Sequence, residues 1–303
     1  MSDSRPIAIL AFDHRGEFSR SIFDRDLHEL SAEETRRLSA SKMLAYEGFL
    51  AAREELPAGL RPGILADEEF ARAVLERAQD RDFMLAIPVE KADQAIFQFD
   101  YGDDYLEHLT RFAPDYVKAL VRLNVHDEAG ATATQLERLK VLSDALREAG
   151  LKFMFELVVR PSASQLAAVG GDRQRFEDEL RPSAVREAME SIHSAGIRVD
   201  VWKLEGIVRA EDAAAIVAEA RSANPDAECI LLGAAASSER LDAWFSVGAS
   251  TDGFSGFAFG RSVWKEPLRE WLAGRATEEE TIERISGAYL GFVHDYLSRS
   301  ATV

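Results

Sequence analysis

Tyr116–Leu123 (YVKALVRL), Lys152–Val159 (KFMFELVV) and Val199–Glu205 (VDVWKLE) decide the fold. Each run has strand length, is rich in valine, leucine or phenylalanine, and keeps no helical period. Each is apolar nearly throughout, as suits a strand covered on both faces of a parallel sheet. Two helical patterns separate them, Thr132–Ala149 and Ser183–Ala195, and a glycine stands just past each, at Gly150 and Gly196. Alternating strand and helix with short connections predicts consecutive βαβ units.

Outward from this centre the pattern repeats. Five more apolar runs occur at Ile7–Phe12 (IAILAF), Gly63–Ala66 (GILA), Phe83–Val89 (FMLAIPV), Cys229–Gly233 (CILLG) and Gly253–Gly260 (GFSGFAFG). Ser31-Ala-Glu-Glu34 is a capping box that opens a helix running to about Leu56. Further helices are predicted over Glu68–Gln79, Ala210–Ala223, Ser237–Phe245 and Ser262–Leu272. Thr277-Glu-Glu-Glu280 is a second capping box. Behind it Ile282, Ile285, Tyr289, Phe292 and Tyr296 recur at helical spacing. Eight strand–helix repeats in 303 residues predict one (β/α)8 TIM barrel over residues 1–303. The competing doubly wound sheet needs a Gly-rich first turn. That turn here is Asp13-His14-Arg15-Gly16, and no G-x-G-x-x-G or P-loop motif occurs. Pro161–Leu180 reads as the longest irregular region, a loop over the site.

Composition narrows the function classes. Lys plus Arg is 36 and Asp plus Glu is 53, for a net charge of −17. Such a surface repels phosphate backbones and anionic lipids, which argues against nucleic-acid and membrane partners. Cys229 is the single cysteine, so no intramolecular disulfide, iron–sulfur cluster or multi-cysteine zinc site can form. The apolar run behind the N-terminus stops at Asp13, too soon for a signal segment. The expected compartment is a reducing cytoplasm. Six histidines, none in an H-x-H or H-E-x-x-H spacing, predict no metal site. His14 and His126 lie at strand tops and read as hydrogen-bonding residues.

Barrel chemistry sits at the C-terminal ends of the strands. Polar residues that end or interrupt the runs are therefore the candidates. Asp13, His14 and Arg15 end the first, Asp67 and Glu68 the second, Glu90 and Lys91 the third. Lys118 and Arg122 interrupt the fourth, and Glu156 interrupts the fifth, with Arg160 following it. Lys203 and Glu205 sit in the sixth, two residues apart and roughly 6.6 Å along one face. Lysine is scarce, seven against 29 arginines, yet two stand mid-strand. An ammonium in a barrel core loses hydration and meets neighbouring cations, and both effects push its pKa down toward a nucleophilic amine. Two lysines with Glu156 and Glu205 suit a Schiff-base site. The competing reading is a buried ion-pair network without chemistry. Gly233-Ala234-Ala235-Ala236-Ser237 and Gly260-Arg261-Ser262 follow the last two runs, where barrels often hold phosphate. Small residues at a helix start let backbone N–H groups approach an anion, and Arg261 supplies charge. Tight packing at a barrel turn is the other reason for Gly260.

Several blocks together resemble a known family. They are Leu10–Phe18 (LAFDHRGEF), Gly63–Phe70 (GILADEEF), Pro88–Lys91 (PVEK), Val117–Asn124 (VKALVRLN), Phe153–Leu157 (FMFEL), Val201–Gly206 (VWKLEG) and Gly256–Trp264 (GFAFGRSVW). They are similar to the aldolase-like domain fused to bacterial 5-dehydro-2-deoxygluconokinase, from inositol catabolism, with class I tagatose-bisphosphate aldolases as wider relatives. The resemblance implies Lys203 as the Schiff-base residue, Lys118 as a second active-site lysine, Glu156 as the acid/base carboxylate and Arg261 at the phosphate end. Asp13, Arg15, Glu205, Gly233 and Gly260 complete the expected substrate-binding set. One block departs: a Gly-Arg-Gly-like turn is usual after the seventh strand, and Gly233-Ala234-Ala235 removes its cation. The expectation is a metal-independent, cofactor-free aldolase of a phosphorylated keto-sugar or keto-sugar acid, compatible with a homo-oligomer. By resemblance the substrate is 2-deoxy-5-keto-gluconate 6-phosphate. A non-catalytic sugar-phosphate-binding barrel is the alternative from a different class. A metal-dependent aldolase lacks its histidine-rich site.

Overall fold

The computed structural model describes residues 5–127, 129–233 and 237–300. The eight apolar runs are eight strands: β1 (Ile7–Ala11), β2 (Arg61–Leu65), β3 (Met84–Pro88), β4 (Tyr116–Arg122), β5 (Lys152–Val158), β6 (Val201–Glu205), β7 (Glu228–Leu232) and β8 (Phe254–Phe259). They pair in sequence order, all parallel, and β8 closes on β1. This is the expected (β/α)8 TIM barrel. Strand alternation sorts the side chains. Ile7, Ile9, Ala11, Leu65, Ala86, Tyr116, Met154, Val201, Ile230 and Ala258 fill the barrel interior. The intervening residues, Trp202 and Phe155 among them, face the helices. Burying one such aromatic removes about 150–250 Å² from water, worth about 4–6 kcal/mol.

The outer layer begins with α1 (Gly16–Phe23) and α2 (Ala32–Arg53) between β1 and β2, then α3 (Glu68–Arg77), α4 (Tyr105–Arg111) and α5 (Ala129–Glu148). After β5 come α6 (Ala163–Ala168), the single turn α7 (Arg173–Arg175) and α8 (Arg181–Ser194). The circuit closes with α9 (Ala210–Ala223), α10 (Ser238–Ser250), α11 (Arg261–Leu272) and α12 (Glu278–Ser300). The capping box at Ser31 forms as its sequence predicts, and Thr277 and Glu280 exchange the same reciprocal bonds ahead of α12. Pro161–Leu180 differs from the expected irregular loop. It holds α6 and α7, then a π-type turn at Phe176–Leu180 that runs into α8. Ser162 and Asp172 cap the two short helices, and caps rather than apolar period define elements of this length. α1 and α4 escaped the periodicity for the same reason, being only eight and seven residues long.

Aromatic hydroxyls and indoles fasten the closure of the barrel. Tyr289 Oη donates to the Ala8 carbonyl at 2.6 Å, and Tyr296 Oη donates to that of Phe254 at 2.8 Å. Trp264 Nε1 donates to Ala11 at 2.9 Å. α12 lies against α2 at Gly48, where a Cβ would meet Ile285 Cγ2 at 2.5 Å. Among the described residues no helix is long and apolar enough to cross a membrane.

Candidate active site

Above the apolar layers the interior turns polar. Strand register puts Glu156 of β5 directly beside Lys203 of β6. Lys118 of β4 pairs with Met154, one interior step below Glu156, so its side chain reaches up to the same level. Glu156 Oε2 lies 2.9 Å from Lys203 Nζ and 2.9 Å from Lys118 Nζ. Lys118 also donates to Asp13 Oδ2 at 2.9 Å and to Glu90 Oε1 at 2.6 Å. All five side chains are buried.

The electrostatics separate the two lysines. Burial disfavours the Lys118 ammonium, yet the charges of Asp13, Glu156 and Glu90 outweigh it and hold its pKa well above the ordinary value. This corrects the expectation that core burial lowers the pKa of that lysine: three carboxylates exceed the desolvation cost. Lys118 is a fixed cation. Lys203 has one carboxylate partner, Glu156. Burial pushes the carboxyls of Glu156 and Asp13 up, but nearby cations win and hold both below their usual range. For Glu156 these are Lys118 and Lys203; for Asp13, Lys118 first, then His14 and Lys203. Glu90 goes the other way, because burial exceeds the pull of Lys118 and Arg15.

Each other predicted residue has a definite place. Glu205 faces the interior beside Lys203, but its neighbours are arginines, Arg160 at 3.9 Å and Arg181 at 4.0 Å. Neither active-site lysine is neutralised by Glu205. Arg15 is buried and ties the β1 turn to Asp100 at 2.6 Å and to the Glu90 carbonyl. Arg261, first residue of α11, pairs with Glu17 at the cavity edge. Gly260 is dictated by packing: a Cβ there would lie 2.2 Å from the Ala11 carbonyl oxygen. A Cβ at Gly233 would meet Phe259 and Ser262 at ordinary contact distance. Ala234–Ala236 of the same loop lie outside the described residues. His14 lines the cavity, and burial lowers its pKa. His126 stands apart at the surface, 2.9 Å from Glu187. Cys229 is buried, its thiol pushed up to about 12.

Lys203, Lys118, Glu156, Asp13, Glu90 and Glu205 line a cavity of about 270 Å³ at the C-terminal mouth of the barrel. Among the described residues its wall carries eight lysines and arginines against six aspartates and glutamates. In a chain of net charge −17 that local excess of cations sets the cavity apart from the rest of the surface. The cations stand at two ends. Arg261, with Ser262 and Gly233, marks one. Lys91, Arg122 and Arg160 mark the other, where Lys91 and Arg122 form no ion pair among the described residues. Sequence reasoning did not assign Glu90 to the site, although it ends the third run. Nor did it assign Arg122 and Arg160, whose signal was their place just inside or after strands four and five. Gln135 had no signal. It accepts from Phe97 N at 3.0 Å and donates to the Arg122 carbonyl at 3.0 Å, stitching residues 91–99 to the top of β4.

Comparison with known proteins gives a family and a fold. No curated protein matches the sequence. Among solved structures the chain is similar to Cgl0159 from Corynebacterium glutamicum, with TM-score 0.59 and 15% identity over 97% of this chain and 87% of that one. It is similar to an archaeal fructose 1,6-bisphosphate aldolase, with TM-score 0.54 and 14% identity over 95% of each chain. It is also similar to the YdjI aldolase from Escherichia coli K12, with TM-score 0.54 and 13% identity over 99% of this chain and 94% of that one. At such identities the likeness is one of fold. A family model matches residues 2–300, nearly the whole length, and the chain belongs to that family, the uncharacterized proteins conserved in bacteria designated DUF2090.

Proposed function

We propose that this protein is a class I, Schiff-base-forming aldolase that cleaves a phosphorylated keto-sugar or keto-sugar acid. The observation that carries the reading is the buried Lys203–Glu156 pair, opening on a cavity with cations at both ends. Two cationic ends suit a substrate with two anionic groups, such as a sugar acid phosphate. The resemblance in the sequence blocks makes 2-deoxy-5-keto-gluconate 6-phosphate the substrate of choice, and the fold likeness to two aldolases supports the class.

In this mechanism Lys203 passes a proton to Glu156, 2.9 Å away, and its amine adds to the substrate ketone. The added nitrogen gives one proton to the former ketone oxygen and Glu156 returns the other, so that water leaves and an iminium remains. The Glu156 carboxylate then takes the proton of the hydroxyl on the carbon β to the iminium. The bond between the α and β carbons breaks, its electron pair flows into the iminium, and an aldehyde leaves. Glu156 protonates the resulting enamine, and water hydrolyses the imine to release the phosphorylated ketone. For the proposed substrate the products are malonate semialdehyde and dihydroxyacetone phosphate. Lys118 moves no proton; its fixed charge steadies Glu156 and Asp13. The test is intact mass after borohydride treatment with dihydroxyacetone phosphate or the keto-sugar acid phosphate. One covalent adduct per chain is expected. No adduct with any keto-sugar phosphate, together with measurable binding, would make the protein a sugar-phosphate-binding barrel instead.

A further inference from the structure

Lys42 is a third buried lysine, and the reaction above does not use it. It sits midway along α2 and is 0% exposed. Its Nζ donates to the His14 carbonyl oxygen at 2.9 Å and pairs with Asp67 Oδ2. The ammonium lies 5.2 Å from the Phe18 ring centre and 5.6 Å from that of Phe70, an aromatic sheath. Packing alone does not call for a charge in such a place, since an apolar side chain of equal volume fills it at lower cost. The charge is explained by what it holds.

It holds the turn at the top of β1, where three consecutive residues meet the site. Asp13 accepts from Lys118, His14 lines the cavity, and Arg15 reaches the Glu90 carbonyl and Asp100. Trp264 meets the His14 ring edge-on at 5.8 Å, so the turn is gripped through its ring and through its backbone. Asp67, the other partner of Lys42, caps α3 by accepting from Phe70 N at 2.8 Å. One ammonium thus joins the tops of β1 and β2 from behind the cavity.

We infer that Lys42 is a positioning residue, which clamps the 13–15 turn so that Asp13 reaches Lys118. The inference rests on the Schiff-base reading of the same cavity for its kinetic consequence, and on geometry alone for its structural one. Lys42→Met by itself strands the Asp67 carboxylate in the core. The informative variant is K42M/D67N, in which asparagine still caps α3 and no charge is unpaired. Two readouts are taken on cooperatively melting protein: titration of the Lys118 ammonium by NMR, and the rate of borohydride trapping with dihydroxyacetone phosphate. Lys118 is expected to lose its proton at lower pH than in the wild type. Trapping is expected to slow about 10- to 100-fold, with the half-saturating concentration within about threefold of wild type. Wild-type titration and wild-type trapping in the folded double variant would overturn the inference. If the wild type forms no adduct, the aldolase reading fails and the Lys118 titration still decides the role of Lys42. Asp67→Asn, which leaves Lys42 on the His14 carbonyl, is the second variant. It is expected to trap at close to the wild-type rate, and a loss equal to that of the double variant would assign the effect to the α3 cap instead.

Discussion

Lys118 and Lys203 share one carboxylate oxygen, Glu156 Oε2, which stands 2.9 Å from each Nζ. The sharing is unequal. Lys118 holds two further carboxylates, Asp13 and Glu90, whereas among the described residues Lys203 pairs with Glu156 alone. This asymmetry in ion pairing is what the proposed division of roles between the two lysines rests on.

Lys203→Arg keeps a cation beside Glu156 but removes the proposed nucleophile. The variant is expected to fold and to give no borohydride-trapped mass. Lys118→Arg is expected to trap still, more slowly. Peptide mapping checks the pair: an adduct on Lys118 that survives in the Lys203→Arg protein would reverse the assignment.

Glu156→Gln preserves shape and removes the proposed acid/base. Cleavage of the keto-sugar acid phosphate is expected to fall by about 10²–10⁴, the usual loss for a general acid–base. Comparison of steady-state turnover with single-turnover trapping checks it. Turnover at the wild-type rate would take Glu156 out of the chemistry.

Arg261 is held by Glu17 at the cavity edge, so a phosphate must compete for it. Arg261→Ala is expected to raise KM for a phosphorylated ketose by an amount equivalent to about 1.5–3 kcal/mol, and to leave a non-phosphorylated analogue nearly unaffected. Glu17→Gln is expected to lower that KM, by about 0.2–1 kcal/mol, since the pair is partly exposed. Equal losses for both substrates in Arg261→Ala would place the phosphate elsewhere.

Acid stability follows from the depressed carboxyls of Asp13 and Glu156. A carboxyl with a lowered folded pKa adds stability that is complete above its unfolded value, near about 4, and lost as pH falls through the folded one. Tm is therefore expected to fall on acidification below that value. Glu90, raised by burial, binds its proton more tightly in the folded state and offsets part of the loss. Lys118 works at the other end: its contribution is intact below its unfolded pKa, about 10.4, and disappears as pH rises through the higher folded value. Thermal melts from pH 7 to 3 check the acid limb, and Asp13→Asn is expected to show a shallower slope than wild type. An unchanged slope would mean that Asp13 contributes nothing to it.

The strands and the longer helices were legible in the sequence because their signals are local. Apolar runs, capping boxes and the glycines after two helices act over a few residues, and every one of the eight runs is a strand within two residues of its predicted ends. Lys118, Glu156 and Lys203 were visible for the same reason, as charges interrupting apolar runs. What only the tertiary structure decided is which charge meets which. Asp13 and Lys118 are 105 residues apart, and the stagger of a closed barrel, not the order of the chain, brings them to 2.9 Å. Local pattern put Lys203 and Glu205 on one face of the sixth strand and left open which carboxylate meets the lysine. Barrel geometry gives that place to Glu156 on the neighbouring strand and turns Glu205 toward Arg160 and Arg181. Lys42 marks the limit of sequence reading most clearly. A lysine on a charged helix reads as solvated, because helical period reports which face is apolar and says nothing of a long side chain threading between two rings to a backbone carbonyl.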